Sequence, residues 1–344
     1  MTSITAPRND GHFFKPDRRS DPIFIVGMGR SGTTMLRLML HRHPDLAVLS
    51  ETSFAARVWE RRWGFPMVDP VEPFRTRLLN SFIRQLHSED LEDLDIDWAE
   101  YRRRVTEGPP SLTRFLAALG ELWAEKHGKS RWGEKTPTHV YYLELFKSMF
   151  PKMKVVNAVR DPRAVAASWL NTKITQVSDP AAVALEWRRS ILAAERAGQN
   201  SDVPVITVRY EDLVADPERE LRSICDFTSL SYDGSMLDFH EDAENHAPQQ
   251  QWMASLERPL HDENVHRWRD ELEKDDVLLL EALVLQALER YGYEMTSSES
   301  KVRRLREVAQ RVERAYVQSA GADMRPMREM LPIDVEAYRG LLEG

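Results

Sequence analysis

The sequence predicts an α/β protein in which helices flank a central parallel sheet of about four or five strands. Two observations lead to this fold class. Short apolar runs alternate along the chain with longer segments whose apolar residues recur at helical spacing. The runs are nearly continuous in apolar residues, which is typical of parallel strands buried on both faces by helices.

The first strand, the first helix and the second strand are predicted close to the N-terminus. Residues 22–27 form an apolar run that ends in glycine, which predicts a buried strand. Residues 31–43 carry apolar side chains at helical spacing, and Pro44 ends that helix because proline disfavours helical geometry in the residue before it. Residues 46–49 predict the second strand. The polar residues 1–21 are predicted to be a flexible arm.

A helical insertion is predicted over about residues 53–128, where prolines interrupt the helical pattern. Ser111 suits the N-cap of its last helix, because a serine hydroxyl can accept a backbone N–H there, and Gly128 suits the helix end. Two interpretations stay open for the aromatic residues of this insertion, a ligand pocket or the hydrophobic core: Trp59, Trp63, Phe65, Phe74, Phe82 and Trp98.

The remainder of the chain repeats the alternation of strands and helices. Further strands are predicted at residues 130–133, 155–159 and 205–208. Helices are predicted at residues 161–170, 217–227 and 275–291. The composition shifts near Ser297, so residues 22–296 are predicted to form the main domain and residues 297–344 a helical C-terminal appendage on it.

Composition and charge exclude several classes of protein. The chain has 344 residues and a formal net charge of −8, and a duplex-binding protein would carry a basic face, so no nucleic-acid partner is expected. No apolar run reaches the length of a membrane span, and none is predicted. Cys225 is the single cysteine, which precludes an intramolecular disulfide and favours a cytoplasmic location. A homo-oligomer is neither required nor excluded, and the scattered histidines predict no metal site.

A glycine-rich turn joins the first strand to the first helix, with the sequence GMGRSGTT from Gly27. Glycines let the backbone turn tightly and present N–H groups to phosphate oxygens, and a helix N-terminus favours anions. The triphosphate-binding loop G-x-x-x-x-G-K-[ST] matches at Gly27, Gly32 and Thr34, but Thr33 stands where that loop has lysine. The turn therefore predicts a phosphate site in which Arg30 supplies the positive charge.

Polar side chains follow the predicted strands at the points where the strands end: Arg30, Glu51, Lys135, Arg160 and Tyr210. In an open parallel sheet, ligands bind outside the carboxyl ends of the strands, so we expect these side chains to converge on one edge. Three cations and one carboxylate at that edge suit a polyanion beside a general base.

Two segments that contain these side chains resemble segments of the sulfotransferase family. Residues 30–34, RSGTT, resemble its 5′-phosphosulfate loop, and residues 154–168 resemble its 3′-phosphate segment, with Arg160 at a strand end and Ser168 on the next helix. The resemblance spans residues 22–292 and implies a P-loop NTPase-like three-layer fold. It also implies the donor 3′-phosphoadenosine-5′-phosphosulfate (PAPS), with no metal ion.

Further stretches resemble the group that contains protein-tyrosine sulfotransferases and related bacterial enzymes. Ser50-Glu51-Thr52 resembles the segment of the catalytic glutamate, and WGEKTP, which contains Lys135, resembles that of the catalytic lysine. RYEDL implies that Tyr210 lies near the nucleotide, and a weaker match implies that Arg267 lies near the 3′-phosphate.

The resemblance implies in-line transfer of a sulfuryl group from PAPS to a hydroxyl acceptor, with release of 3′,5′-ADP. Arg30 and Lys135 would stabilise the leaving phosphate oxygen, and Glu51 would take the acceptor proton. The acceptor is left open as a small molecule, a glycan or a peptide. The implied nucleotide-binding residues are Arg30, Ser31, Gly32, Thr33, Thr34, Arg160, Ser168, Tyr210 and Arg267.

Other interpretations of the same residues remain open at this point. His41, His43 and His139 are rival bases, and Glu51 could instead begin a helix. Arg160 could form a structural ion pair with Asp161 or Glu211. A nucleoside-triphosphate-dependent small-molecule kinase is the main alternative function, and a non-catalytic nucleotide-binding or scaffold protein is the second.

Overall fold

The computed structural model describes residues 16–52, 94–107, 111–172, 179–242, 256–306 and 309–311. Five strands in this part of the chain form one parallel sheet with the order β2-β3-β1-β4-β5. They are β1 (Ile23–Gly27), β2 (Leu46–Leu49), β3 (Arg131–Lys135), β4 (Lys154–Val159) and β5 (Val205–Arg209). The predicted fold class is confirmed, and each predicted strand is present within two residues of its expected bounds.

Helices cover the sheet and extend beyond it. They are α1 (Thr33–Arg42), α2 (Trp98–Thr106), α3 (Leu112–Lys126), α4 (Leu143–Met149), α5 (Pro162–Thr172), α6 (Pro180–Asn200), α7 (Tyr210–Ala215), α8 (Pro217–Thr228), α9 (Glu263–His266), α10 (Trp268–Glu271), α11 (Lys274–Arg290) and α12 (Glu299–Arg304). Two 3₁₀ segments are Pro137–Tyr142 and Gly234–Asp242.

Strand β1 divides the core into two layers, because successive side chains of a strand point to opposite faces. Phe24 packs on one face in a cluster with residues of α3 and α4, and its ring stacks on Phe146 with 4.8 Å between centroids. Ile23 and Ile25 pack on the other face with α1 and α8. The sheet therefore has helices on both sides, as the continuous apolar runs predicted.

Helix α3 lies in the range predicted as an insertion, yet it packs directly on β2 and β3. Its ends follow the expected capping: the Ser111 hydroxyl accepts the backbone N–H of Arg114 at 3.3 Å, and Gly128 adopts a φ of +65°. Residues 53–93 lie outside the described residues, so the predicted limits of the insertion stay a prediction.

The long helix α6 was not predicted from the sequence. Its start carries the same signal as that of α5, an aspartate before a proline: Asp179 accepts the N–H of Ala181 at 2.8 Å, and Pro180 occupies the first turn. Its buried face, including Trp187, packs against α5. Of the predicted appendage, α12 and residues 309–311 are helical, and residues 312–344 lie outside the described part of the chain.

The strand register sets the order of side chains along the carboxyl edge. Lys135 pairs with Ile25 of β1, and Ala158 of β4 pairs with Gly27 at the end of β1. Because β1 is the central strand, the turn that follows it lies between the ends of β3 and β4. The predicted site residues therefore follow the sheet order, from Glu51 after β2 to Tyr210 after β5.

Candidate active site

The backbone conformation of the turn after β1 requires a glycine at position 32. Arg30 and Gly32 adopt positive φ values of 73° and 85°, and the N–H of Ser31 donates to the carbonyl of Met28 at 3.2 Å. A Cβ atom on Gly32 would lie 2.6 Å from Cδ2 of Tyr210. Glycine is therefore required at this position by both the backbone angle and the close approach of the aromatic ring.

Helix α5 contacts the turn through two of its side chains, Ser168 and Trp169. Nε of Arg30 donates to the hydroxyl of Ser168 at 3.0 Å, and Nε1 of Trp169 donates to the carbonyl of Gly29 at 3.2 Å. The sequence predicted Ser168 and Arg30 in the site but missed Trp169. The tryptophan directly follows the serine of the motif, and no motif assigns it a role.

Arg160 links the end of β4 to the turn and to the neighbouring wall. Its guanidinium donates to the carbonyl of Arg30 at 3.1 Å and to the carbonyl of Asn264 at 2.5 Å, and it lies 4.5 Å from the centroid of Tyr210. Its own carbonyl accepts Nε1 of Trp187 at 2.8 Å. All these hydrogen bonds of its guanidinium go to backbone carbonyls, which leaves its positive charge available for an anion.

The ion pair considered for Arg160 is formed by another arginine. Arg163 pairs with Asp161 at 2.7 Å, and its guanidinium also reaches Glu281 at 2.6 Å. Asp161 also accepts the N–H of Arg163 at 2.9 Å, as a residue that caps the start of α5 does. Glu211 accepts the N–H of Asp161 at 2.9 Å.

A cleft of about 490 Å³ opens beside the turn, Arg160 and Ser168. Eight of the nine predicted nucleotide-binding residues line it: Arg30, Gly32, Thr33, Thr34, Arg160, Ser168, Tyr210 and Arg267. The ninth, Ser31, is buried within the turn and does not line the cleft, although its two neighbours in the chain do. The cleft wall also contains residues that the sequence did not single out, namely Asn171, Arg258, His261 and Asn264.

The polar groups of the turn and of the cleft fit an anionic ligand. Oγ of Ser31 and Nε of Arg160 are buried and have no hydrogen-bond partner among the described residues. Burial and the positive charge of Arg160 lower the pKa of the Arg30 guanidinium. A polyanion bound beside Arg30 would stabilise its buried positive charge. Arg267 is more peripheral, since its side chain is 57% exposed and donates to Glu271 at 2.5 Å.

Glu51 and Lys135 form an ion pair on the opposite side of the turn from Arg160. Nζ of Lys135 lies 2.7 Å from Oε1 of Glu51. The lysine side chain is 5% exposed and that of the glutamate 51%, so the carboxylate faces solvent while the lysine is held inside. Neither residue lines the cleft, but Lys135 pairs with Ile25 of β1, the strand that leads into the turn. Along the carboxyl edge of the sheet, the Glu51 carboxylate, the Lys135 ammonium and the arginine-rich cleft therefore lie in that spatial order.

Comparison with known proteins identifies the family of this chain. A family model described as "Sulfotransferase family" matches residues 22–234, which contain all but one of the predicted site residues. The chain belongs to the sulfotransferase family. The remaining predicted residue, Arg267, lies beyond the matched range.

Among relatives of this sulfotransferase is a putative protein-tyrosine sulfotransferase of Caenorhabditis briggsae, 27% identical, with 80% of this chain and 90% of the relative aligned. Protein-tyrosine sulfotransferase 1 of Danio rerio is 26% identical over 64% of this chain and 56% of its own length. The sulfotransferase domain of the Synechococcus PCC 7002 olefin synthase has the same fold, with a TM-score of 0.56 and 22% identity over 82% of this chain and 98% of that domain.

The three histidines considered as rival bases are buried in structural hydrogen bonds. Nδ1 of His41 accepts the N–H of Val48 at 3.0 Å. His43 accepts the N–H of Asp45 at 3.0 Å through Nδ1 and donates to a backbone carbonyl through Nε2 at 2.7 Å. His139 has no exposed surface, and its Nδ1 lies 2.9 Å from Oε2 of Glu134. Of the four candidate bases, Glu51 alone has a solvent-facing side chain.

The described residues of this sulfotransferase also bear on metal binding, membrane insertion and the state of the single cysteine. No three His, Cys, Asp or Glu side chains in the described ranges are grouped closely enough to hold a metal ion. No helix among the described segments combines the length and the apolar character needed to cross a bilayer. Cys225 is buried, and burial raises the pKa of its thiol to about 11.

Proposed function

We propose that this sulfotransferase transfers the sulfuryl group of PAPS to a hydroxyl acceptor, with Glu51 as the general base. The observation that carries the proposal is the order of groups along the sheet edge. The Glu51–Lys135 pair, with its 2.7 Å separation, flanks the phosphate turn on one side, and Arg160 flanks it on the other. A donor that spans the turn would then meet the base at its sulfuryl end.

The arginine-rich cleft supports binding of a doubly phosphorylated adenosine. The turn offers backbone N–H groups and the N-terminus of α1 to the 5′-phosphate, beside the hydroxyls of Thr33 and Thr34. Arg160 and Ser168 lie on the β4–α5 side, where we assign the 3′-phosphate. Arginine suits this role because its planar fork can donate two hydrogen bonds to one phosphate.

The positions of Glu51, Lys135 and Arg30 support an in-line transfer step. The bond between sulfur and the bridging phosphate oxygen breaks as the acceptor oxygen forms its bond to sulfur, and 3′,5′-ADP leaves. Lys135 and Arg30 stabilise the negative charge that grows on the leaving oxygen. Glu51 accepts the acceptor proton, for which Lys135 must turn from the carboxylate towards the phosphate.

A phenolic hydroxyl on a peptide is the acceptor class to test first, because the relatives include protein-tyrosine sulfotransferases. A small-molecule phenol and a glycan remain in the test panel. The cytoplasmic location and the oligomeric state stay predictions, because none of these observations bears on them.

Two measurements test the proposal. We expect 3′,5′-ADP without metal to raise the melting temperature, while ATP with Mg²⁺ gives a smaller shift, since Thr33 replaces the P-loop lysine. We also expect transfer of radiolabelled sulfate from PAPS to at least one of a tyrosine peptide, 4-nitrophenol and an oligosaccharide. A larger shift with Mg·ATP, or phosphoryl transfer to the panel, would favour the kinase instead.

A further inference from the structure

Glu134 is a buried carboxylate that joins the ends of β2 and β3, and it has no exposed surface. Its Oε1 accepts the backbone N–H of Thr52 at 3.1 Å and the hydroxyl of Thr52 at 2.9 Å. The hydroxyl of Thr136 also donates to Oε1. Its Oε2 lies 2.9 Å from Nδ1 of His139, which therefore donates, because a carboxylate can only accept.

These hydrogen bonds close a ring between two strand ends. The N–H of Thr52 also donates to the hydroxyl of Thr136 at 2.9 Å, and that hydroxyl donates onward to Glu134. The ring lies entirely inside the protein, where hydrogen bonds are electrostatically stronger than in water. It ties the peptide between residues 51 and 52 to the side chains of Glu134 and Thr136.

Two residues of the proposed transfer step are covalent neighbours of residues in this ring: Glu51, which would accept the proton, and Lys135, which would stabilise the leaving oxygen. Glu51 precedes Thr52, and Lys135 follows Glu134. A buried carboxylate is unfavourable unless several donors compensate its desolvation, and apolar side chains could fill the same space. What the carboxylate adds over apolar packing is directional: its oxygens fix the donors of both strand ends in one geometry.

We propose that Glu134 is a positioning residue that sets the geometry of the Glu51–Lys135 pair for sulfuryl transfer. The inference rests on the proposed function of that pair. Glu134 itself touches no substrate, because it is fully buried. It acts through the backbone on either side of the pair, and the 2.7 Å contact between Glu51 and Lys135 depends on it.

Glu134→Ala, Glu134→Gln and Glu281→Gln test this role. In Glu134→Ala we expect kcat to fall about 10²-fold while KM for PAPS stays within about threefold, because a misplaced catalytic group mainly slows the chemical step. Glu134→Gln retains an oxygen for Thr52 and Thr136, and its amide can donate to the other tautomer of His139. We therefore expect it to keep kcat within about threefold.

Glu281→Gln is the matched control, because Glu281 is also fully buried and also accepts a threonine N–H and hydroxyl, at 2.8 Å and 2.9 Å from Thr296. We expect it to lower the melting temperature with kcat unchanged. A purely structural Glu134 would behave in the same way. Unchanged kcat in folded Glu134→Ala, quantified by titration with 3′,5′-ADP, would overturn the inference.

A readout that needs no acceptor separates this inference from the proposed function. Acylation of Lys135 by acetic anhydride, followed by mass spectrometry, reports how tightly the lysine is held against Glu51. We expect the rate to rise about tenfold in Glu134→Ala and to stay unchanged in Glu134→Gln and Glu281→Gln. Equal rates in all four proteins would overturn the positioning role, whereas a wild-type protein inactive with PAPS would overturn only the proposed function.

Thr52→Val provides a milder perturbation if Glu134→Ala does not fold. It removes one hydroxyl contact to Glu134 and leaves the carboxylate in place. We expect kcat to fall about fivefold with KM for PAPS unchanged, the effect of one lost hydrogen bond on the geometry of the pair. A rise in KM with kcat retained would contradict the role.

Discussion

The guanidinium of Arg160 donates to the backbone carbonyl of Arg30 at 3.1 Å, so the arginine assigned to the 3′-phosphate also supports the turn assigned to the 5′-phosphate. Tyr210 lies beneath the same guanidinium, 4.5 Å from it. One side chain thus joins the ends of β1, β4 and β5. Loss of Arg160 should therefore weaken binding at both phosphates of the nucleotide.

Arg160→Ala is expected to reduce the affinity for 3′,5′-ADP by about 10–100-fold, the effect of losing one or two charge-assisted hydrogen bonds. Arg160→Lys should recover little of this, because an ammonium cannot replace the planar fork. Isothermal titration calorimetry measures both. Arg188→Ala is the control, since Arg188 also donates to a backbone carbonyl, at 2.9 Å, but lies outside the cleft. Unchanged affinity in Arg160→Ala would remove the residue from the site.

Glu51→Gln should abolish most turnover and preserve nucleotide binding. A general base contributes about 10²–10⁴-fold, so kcat should fall by that factor while the affinity for 3′,5′-ADP stays within about twofold. Asp45→Asn is the matched control, because Asp45 is also an exposed carboxylate but precedes β2, whereas Glu51 follows it. Stopped-time assays with labelled PAPS measure both variants. Normal turnover of Glu51→Gln would refute the role of the base.

Gly32→Ala should disrupt the turn, because the new Cβ meets Tyr210 at 2.6 Å and the backbone has a φ of +85°. Gly128→Ala separates the two causes, since Gly128 has a φ of +65° but nothing within 4 Å of its Cβ position. We expect Gly128→Ala to lower stability by about 1–2 kcal/mol with unchanged nucleotide affinity. Gly32→Ala should lose affinity as well, and Gly32→Ala with Tyr210→Ala should show whether the clash is responsible.

Arg30→Met should separate stability from binding. Burial and the charge of Arg160 lower the pKa of Arg30, which means that the ligand-free site disfavours its charge. We expect the melting temperature of the ligand-free variant to be no lower than that of the wild type. The rise in melting temperature on adding 3′,5′-ADP should shrink, corresponding to an affinity about tenfold lower. A destabilised variant with an undiminished ligand response would contradict this.

The fold and the row of site residues follow from the sequence because both depend on local signals. Apolar runs, prolines and glycines mark the elements, and the carboxyl ends of parallel strands share one edge whatever the strand order. The contacts that refine the site depend on tertiary packing. Trp169 reaches Gly29 and Asn264 reaches Arg160 across long stretches of chain, and no residue pattern encodes those distances. The contacts of Glu134 were likewise not predicted, because the WGEKTP motif assigns a role only to the neighbouring Lys135.

Glu281 should contribute stability that is lost in acid. Burial raises the pKa of this carboxyl, but hydrogen bonds from Thr296 and Ser297 outweigh it, and the net pKa lies below the ordinary 4.5. A carboxyl with a lowered pKa stabilises the folded state above its unfolded pKa, and this stability disappears as the pH falls through the folded value. The difference in melting temperature between the wild type and Glu281→Gln should therefore be constant from pH 7 to about 5 and shrink below 4.5. Differential scanning calorimetry across this range measures it, and a difference that grows on acidification would show that the sign is wrong.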